Sequence, residues 1–140
     1  MSDLRYLGVE ITGGRKFSCS MSKAKGKFNG AVNSVIGKLE NRAHEDVLIQ
    51  LIKTKCLPIL LYGTEACSLN KAQLHYLDFA VIRVAMKIFK TTSRSLVSEC
   101  MDQFAWMLPS VTVSKCERVL VERFRDIDNY FFKRIMAKFV

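Results

Sequence analysis

The sequence predicts a mainly α-helical chain: an N-terminal β-hairpin followed by a bundle of about five helices. Three observations carry this. Only two prolines and seven glycines occur in 140 residues, which leaves room for long regular elements. From Met21 onward apolar residues recur at three and four positions rather than two, which is the helical period. Hydrophobic residues make up 49% and charged residues 25%, enough for a sizeable core and too ordinary for disorder. The length is that of one domain.

The hairpin comes first. Leu4 to Thr12 reads as one strand, with Val9 and Ile11 alternating with polar neighbours. Gly13-Gly14 is a turn signal, and residues 15–19 read as a short return strand. A two-stranded ribbon is not stable alone in water. Nothing later reads as a strand, so the hairpin is expected to belong to a sheet whose other strands lie outside the chain. The division that follows is 1–19 for the hairpin and 20–140 for the helices.

The helices follow in order. Met21, Ala24, Phe28, Ala31, Val35 and Leu39 form the first stripe. Gly26, Gly30 and Gly37 weaken that helix by up to about 1 kcal/mol each relative to alanine, and could admit another backbone. The second runs from Glu45 with Val47, Leu48, Leu51, Ile52 and Cys56 apolar. It meets Pro58, which should kink it, and the apolar run Ile59-Leu60-Leu61-Tyr62 extends it beyond the kink. Leu51, Ile52, Leu57, Leu60 and Leu61 are the expected centre of the core. Asn70 is a good N-cap for a third helix over 71–90, with Leu74, Leu77, Val81, Ala85 and Ile88 inward. Arg83, Lys87 and Lys90 sit where positive charge favours the helix dipole. A shorter helix spans about 96–106, and Leu108-Pro109-Ser110 breaks it. The last begins near Val111 with Cys116, Leu120, Phe124, Ile127, Phe131 and Ile135 in one stripe. That pattern has no stop signal, and with the orphan hairpin it makes the chain read as a fragment.

The formal net charge is +9, which suggests a polyanionic partner, nucleic acid first. Residues 1–42 hold eight Lys and Arg against three acids, five of those nine charges. Arg15, Lys16, Lys23, Lys25 and Lys27 are the candidates for contact with a nucleic-acid backbone. Tyr6, Phe17 and Phe28 are interleaved with them and could stack on bases, although burial is the simpler role for each. The five cysteines have neither CxxC spacing nor a partnering histidine. They fit neither a zinc site nor a disulfide framework, and reduced thiols inside the cell are expected. The run around Pro58 is too short to span a membrane.

Catalytic constellations are absent from the sequence. There is no phosphate-loop pattern, GxGxxG, HExxH or GxSxG. No aspartate pair follows an apolar strand, as two-metal nucleotidyl transfer requires. Asp126 and Asp128, two apart on a helix, diverge. His75, on the same helix as Tyr76, reads as a surface or satisfied core residue, Trp106 as a packing anchor and Cys56 as a buried thiol. No metal site or cofactor is expected.

Three stretches together resemble a known family: Tyr6-Leu7-Gly8-Val9, the block from Leu51 through Pro58 and Tyr62-Gly63 to Cys67, and Leu77-Asp78-Phe79. They look like the C-terminal part of non-LTR (LINE) retrotransposon reverse transcriptases of the jockey-like kind. Met86 to Thr91 and Leu108-Pro109-Ser110 are similar to that family's downstream wording. The resemblance implies that Tyr6, Leu7 and Gly8 match the primer-grip hairpin that closes the palm. It implies that the helices form a thumb holding an RNA–DNA or RNA template–primer duplex. It also implies that the fingers and the magnesium-binding palm of such an RNA-directed DNA polymerase lie outside these residues, so that the chain alone would not polymerise. The alternative is a small basic helical protein-interaction module with no nucleic-acid role, its partner surface at the block around Pro58.

Overall fold

The computed structural model describes residues 3–13, 18–39, 42–62, 64, 67, 69–125, 134 and 137. Among these residues three short strands lead into six helical segments: β1 (Asp3–Tyr6), β2 (Val9–Thr12), β3 (Ser18–Ser20), α1 (Ser22–Leu39), α2 (Glu45–Leu51), α3 (Leu57–Leu61), α4 (Lys71–Phe89), α5 (Arg94–Gln103) and α6 (Pro109–Arg125). A π-helical turn, Ile52–Cys56, fuses α2 and α3 into one rod, so the helices form five bodies. The mainly helical expectation holds. The hairpin does not: the chain makes a three-stranded antiparallel sheet of order β1-β2-β3.

The stretch read as one strand over 4–12 folds back on itself. Tyr6 pairs with Val9 and Leu4 with Ile11, which leaves Leu7-Gly8 as a two-residue turn. Both have positive φ, +47° and +84°, as a type I′ hairpin requires. The third strand therefore comes from within the chain. Arg15, Lys16 and Phe17, together with Gly14, lie outside the described residues.

The first helix buries a stripe turned by one position from the expected one. Phe28, Val32 and Ile36 are buried, while Ala24, Ala31, Val35 and Leu39 flank them half-buried. The three glycines admit no close backbone, because a Cβ at Gly26, Gly30 or Gly37 would meet nothing within 4 Å. Val47 is exposed, and Leu48 with Ile49 takes the inward side of α2 instead.

Pro58 neither ends the rod nor stops its packing. A proline removes one backbone donor and crowds the carbonyl four residues back. The π turn immediately before it widens the helix at that point, with the Leu57 N–H reaching the Ile52 carbonyl. Ile52, Cys56 and Leu60 are buried on the same side; Leu51, Leu57 and Leu61 are half-buried at its margins. Lys53, in the π turn, donates from Nζ to the Phe104 carbonyl at 2.9 Å. It thus satisfies an end carbonyl beside the C-terminus of α5.

One core joins these elements: Cys19 and Met21 with Phe28, Ile49, Ile52, Leu60, Leu77, Val81, Ala85, Val97 and Trp106. Asn70 and Gln73 form a capping box at the start of α4, with bonds of 2.8 and 3.0 Å. The Gln73 amide also donates to the Cys19 carbonyl at 3.1 Å, which ties the sheet to α4. Pro109 opens α6 rather than merely breaking the helix before it. The Ser110 N–H of its first turn is capped from outside by Asp78 Oδ1 of α4 at 2.8 Å. Of the expected α6 stripe, Cys116 and Leu120 are half-buried, and the buried residue is Val113, one turn before it; Ile127, Phe131 and Ile135 lie outside the described residues.

The cysteine expectation needs correction. Cys19 and Cys67 form a disulfide, their Cα atoms 6.2 Å apart, while Cys56, Cys100 and Cys116 are free. The pair joins β3 to the segment that follows α3. No sequence spacing announces it, because tertiary packing alone brings residues 48 apart together. No helix among the described residues is long and apolar enough to cross a membrane.

Candidate nucleic-acid interface

The sheet, α1 and the end of α3 enclose an open groove of about 880 Å³. Arg5, Lys23 and Lys27 line it, with Gly8, Val9, Met21, Ala24, Gly26, Pro58, Ile59 and Tyr62. No carboxylate lines it among the described residues. Pro58 and Tyr62, from the central apolar block, thus face the same space as Gly8, from the N-terminal turn.

Tyr62 closes that junction. Its hydroxyl donates to the Leu7 carbonyl at 3.0 Å, and a Cβ at Gly8 would lie 3.4 Å from its Cε1. Glycine at this position therefore serves both the positive φ and the approach of the phenol. Tyr6, the remaining member of the sequence-predicted trio, stands exposed at the end of β1. Of the three aromatic candidates, Phe28 is fully buried and Tyr6 is exposed.

Lys25 does not join Lys23 and Lys27. Its Nζ lies 3.9 Å from the Tyr76 ring centroid, a cation–π contact. It lines a second groove of about 360 Å³ between α1 and α4, with Asn29, Asn33, Arg83 and Lys87. Lys87 donates there to Asn33 Oδ1 at 3.3 Å. Sequence reading missed Arg5, Arg83 and Lys87 as site residues. The spacing of Arg83 and Lys87, four apart on one helix face, was the available signal.

Between the two grooves runs the outer face of α1. Gly26, Gly30 and Gly37 are separated by four, seven and eleven residues, which at 100° per residue aligns them within about 40°. The helix therefore presents a low ridge with Lys23 and Lys27 on one flank and Lys25, Arg83 and Lys87 on the other. No group of His, Cys, Asp and Glu among the described residues could hold a metal ion. Cys56 is buried and its burial pushes the thiol pKa up, the opposite of an activated nucleophile.

The fold and site define a basic helical domain with a small antiparallel sheet and cation-lined grooves. No family model, curated protein or solved structure matches the chain.

Proposed function

We propose that the chain grips a nucleic-acid duplex by its backbone, reading shape rather than sequence, as the primer-grip and thumb region of a LINE-type reverse transcriptase. The observation that carries the reading is the α1 ridge, a low glycine face between two rows of cations whose grooves are lined by no described carboxylate. The glycines leave gaps in the side-chain cover of that face, which lets two phosphate rows approach the flanking lysines, and each phosphate held releases counterions. The resemblance in the Tyr6-Leu7-Gly8-Val9 and Leu51–Cys67 wording supports the same assignment, and those two stretches touch through Tyr62 and Leu7. In this reading the parent polymerase supplies the fingers, the palm and its magnesium, and the chain alone makes no DNA.

The test is binding of an RNA–DNA hybrid across a salt series. Replacing Lys23, Lys25 and Lys27 together by Glu should weaken binding. It should also flatten the slope of log affinity against log salt, by about one for each phosphate no longer held. An unchanged slope removes these lysines from the interface. Primer extension with magnesium and deoxynucleotides should give no product from the chain alone.

A second reading, a protein-interaction module, draws on one specific feature: the apolar wall that Val9, Met21, Pro58, Ile59 and Tyr62 give the larger groove. Failure to bind a hybrid at moderate salt would favour it.

A further inference from the structure

Two large rings stand in water on α4: Tyr76 is 41% and Phe79 48% exposed. With Arg83 and Lys87 they fall at i, i+3, i+7 and i+11, an arc of about 80° at 100° per residue. One stripe of the helix thus carries rings in its first half and cations in its second. Each ring also holds a cation. Lys25 Nζ of α1 lies 3.9 Å from the Tyr76 centroid, and the Arg83 Cζ lies 5.8 Å from that of Phe79. These rings turn their π faces to charge rather than to the core.

The same cations, Lys25, Arg83 and Lys87, line the groove between α1 and α4, over a floor of Val32, Ala80 and Val84. Neither helix gives that groove a carboxylate. α1 contains no Asp or Glu, and the one acid of α4 is Asp78. Asp78 lies about 160° round the helix from Ala80 and accepts from the Ser110 N–H. Glu45 and Asp46 line a neighbouring depression that shares Lys87 with this groove. The shape of the groove is that of a trough between two packed helices, whose axes lie about 8–10 Å apart. Such a trough admits one chain of nucleotides and is too narrow for a duplex. Its volume of about 360 Å³ falls at the lower end of the range for small-ligand pockets.

We propose that the α1–α4 groove binds an unpaired nucleic-acid strand, with phosphates on Lys25, Arg83 and Lys87 and bases stacked at Tyr76 and Phe79. The inference rests on the nucleic-acid part of the reading above and adds to it a site for single strand. Every base has a π face, so stacking on such rings is tolerant of sequence. A guanidinium also stacks on aromatic planes, so Arg83 stays against Phe79 while a base takes exposed ring surface. Lys25, a flexible point charge, moves from the Tyr76 ring to a phosphate. Asn29 on the α1 wall offers a donor and an acceptor to a base edge. An acidic peptide would answer the cations and leave both rings unused, which makes it the weaker occupant.

The test uses the full chain and a single-stranded deoxythymidylate octamer. Its controls are an abasic strand of the same length, octaglutamate and a blunt RNA–DNA hybrid. The octamer should bind about fivefold or more tighter than the abasic strand, which keeps the phosphates and lacks the bases. Phe79→Leu keeps an exposed apolar side chain without a π face, and should bring octamer binding down to the abasic level. Phe79→Trp restores a π face and should restore binding. Phe79→Leu should leave the blunt hybrid bound as before, which also shows that the variant is folded. Arg83→Gln should weaken the octamer and the abasic strand alike and lower the salt slope by about one. Octamer binding no tighter than that of the abasic strand or octaglutamate, or unmoved by Phe79→Leu, would overturn the site in favour of charge alone. Binding of the octamer without the blunt hybrid would support the groove and overturn the duplex reading; binding of the hybrid without the octamer would do the reverse.

Discussion

The hydroxyl of Tyr62 donates to the carbonyl of Leu7 at 3.0 Å, across 55 positions of sequence. The bond clasps a turn in which Leu7 takes a positive φ, a conformation costing a non-glycine residue about 1–2 kcal/mol. Leu7→Gly should therefore stabilise the chain by up to about 1 kcal/mol, the relief of strain being partly offset by a more flexible unfolded chain. Tyr62→Phe should destabilise it by about 0.5 kcal/mol, the low end for a hydrogen bond because the site is exposed. Urea midpoints at constant m-value measure both. A Leu7→Gly variant no more stable than the parent would show that the turn is not strained.

The glycines of α1 lie in open space on an exposed helix face. Gly30→Ala and Gly37→Ala should each raise stability by up to about 1 kcal/mol, through helix propensity and a less flexible unfolded chain. Thermal melts of the single and double variants should shift upward additively, since a Cβ at either site meets no neighbour through which the two could couple.

Asp78 caps a helix other than its own. Asp78→Ala should leave the Ser110 N–H uncapped and cost about 1 kcal/mol. Asp78→Asn keeps an oxygen acceptor and should recover most of that loss. If Asn and Ala behaved alike, the carboxylate charge rather than the bond would be the stabilising feature.

The Cys19–Cys67 bridge joins residues 48 apart in sequence. The chain-entropy model gives such a loop about 4 kcal/mol, an upper figure because strain and residual unfolded structure reduce it. Replacing both cysteines by serine should lower the urea midpoint markedly. A free-thiol count on the unfolded, unreduced chain should give three, for Cys56, Cys100 and Cys116.

Burial raises the thiol pKa of Cys56. The neutral thiol is favoured in the folded state, so its contribution is fully present below the ordinary thiol range and is lost as pH rises through the folded value. Stability should fall on the alkaline side more steeply in the parent than in Cys56→Ala. Alkylation of Cys56 should be slow until the chain unfolds.

The helical plan is legible in the sequence because burial along a helix imposes a period, and that period is local. Asn70 announces the start of α4, and Leu77, Val81, Ala85 and Ile88 its buried face. Ile52 and Leu60 are legible as core around Pro58. The turn at Leu7-Gly8 is hidden, since leucine is no turn signal. Its traces are Gly8 and the switch of apolar positions from even (Leu4, Tyr6) to odd (Val9, Ile11). The stripe of α1 is displaced by a position because alanines and valines flank the true centre at Phe28, Val32 and Ile36.

Sequence locates the basic residues of α1 but cannot sort them, because the sorting depends on what packs beside the helix. The sheet lies on one side and takes Lys23 and Lys27 into its groove; α4 lies on the other and holds Lys25 over Tyr76. The disulfide, the Asp78 cap and the Tyr62 clasp likewise join residues that no local rule relates. Local periodicity and composition are enough to say which segments are helical and how basic their surface is. Which distant side chains meet depends on how those segments pack, since packing is a property of several segments at once.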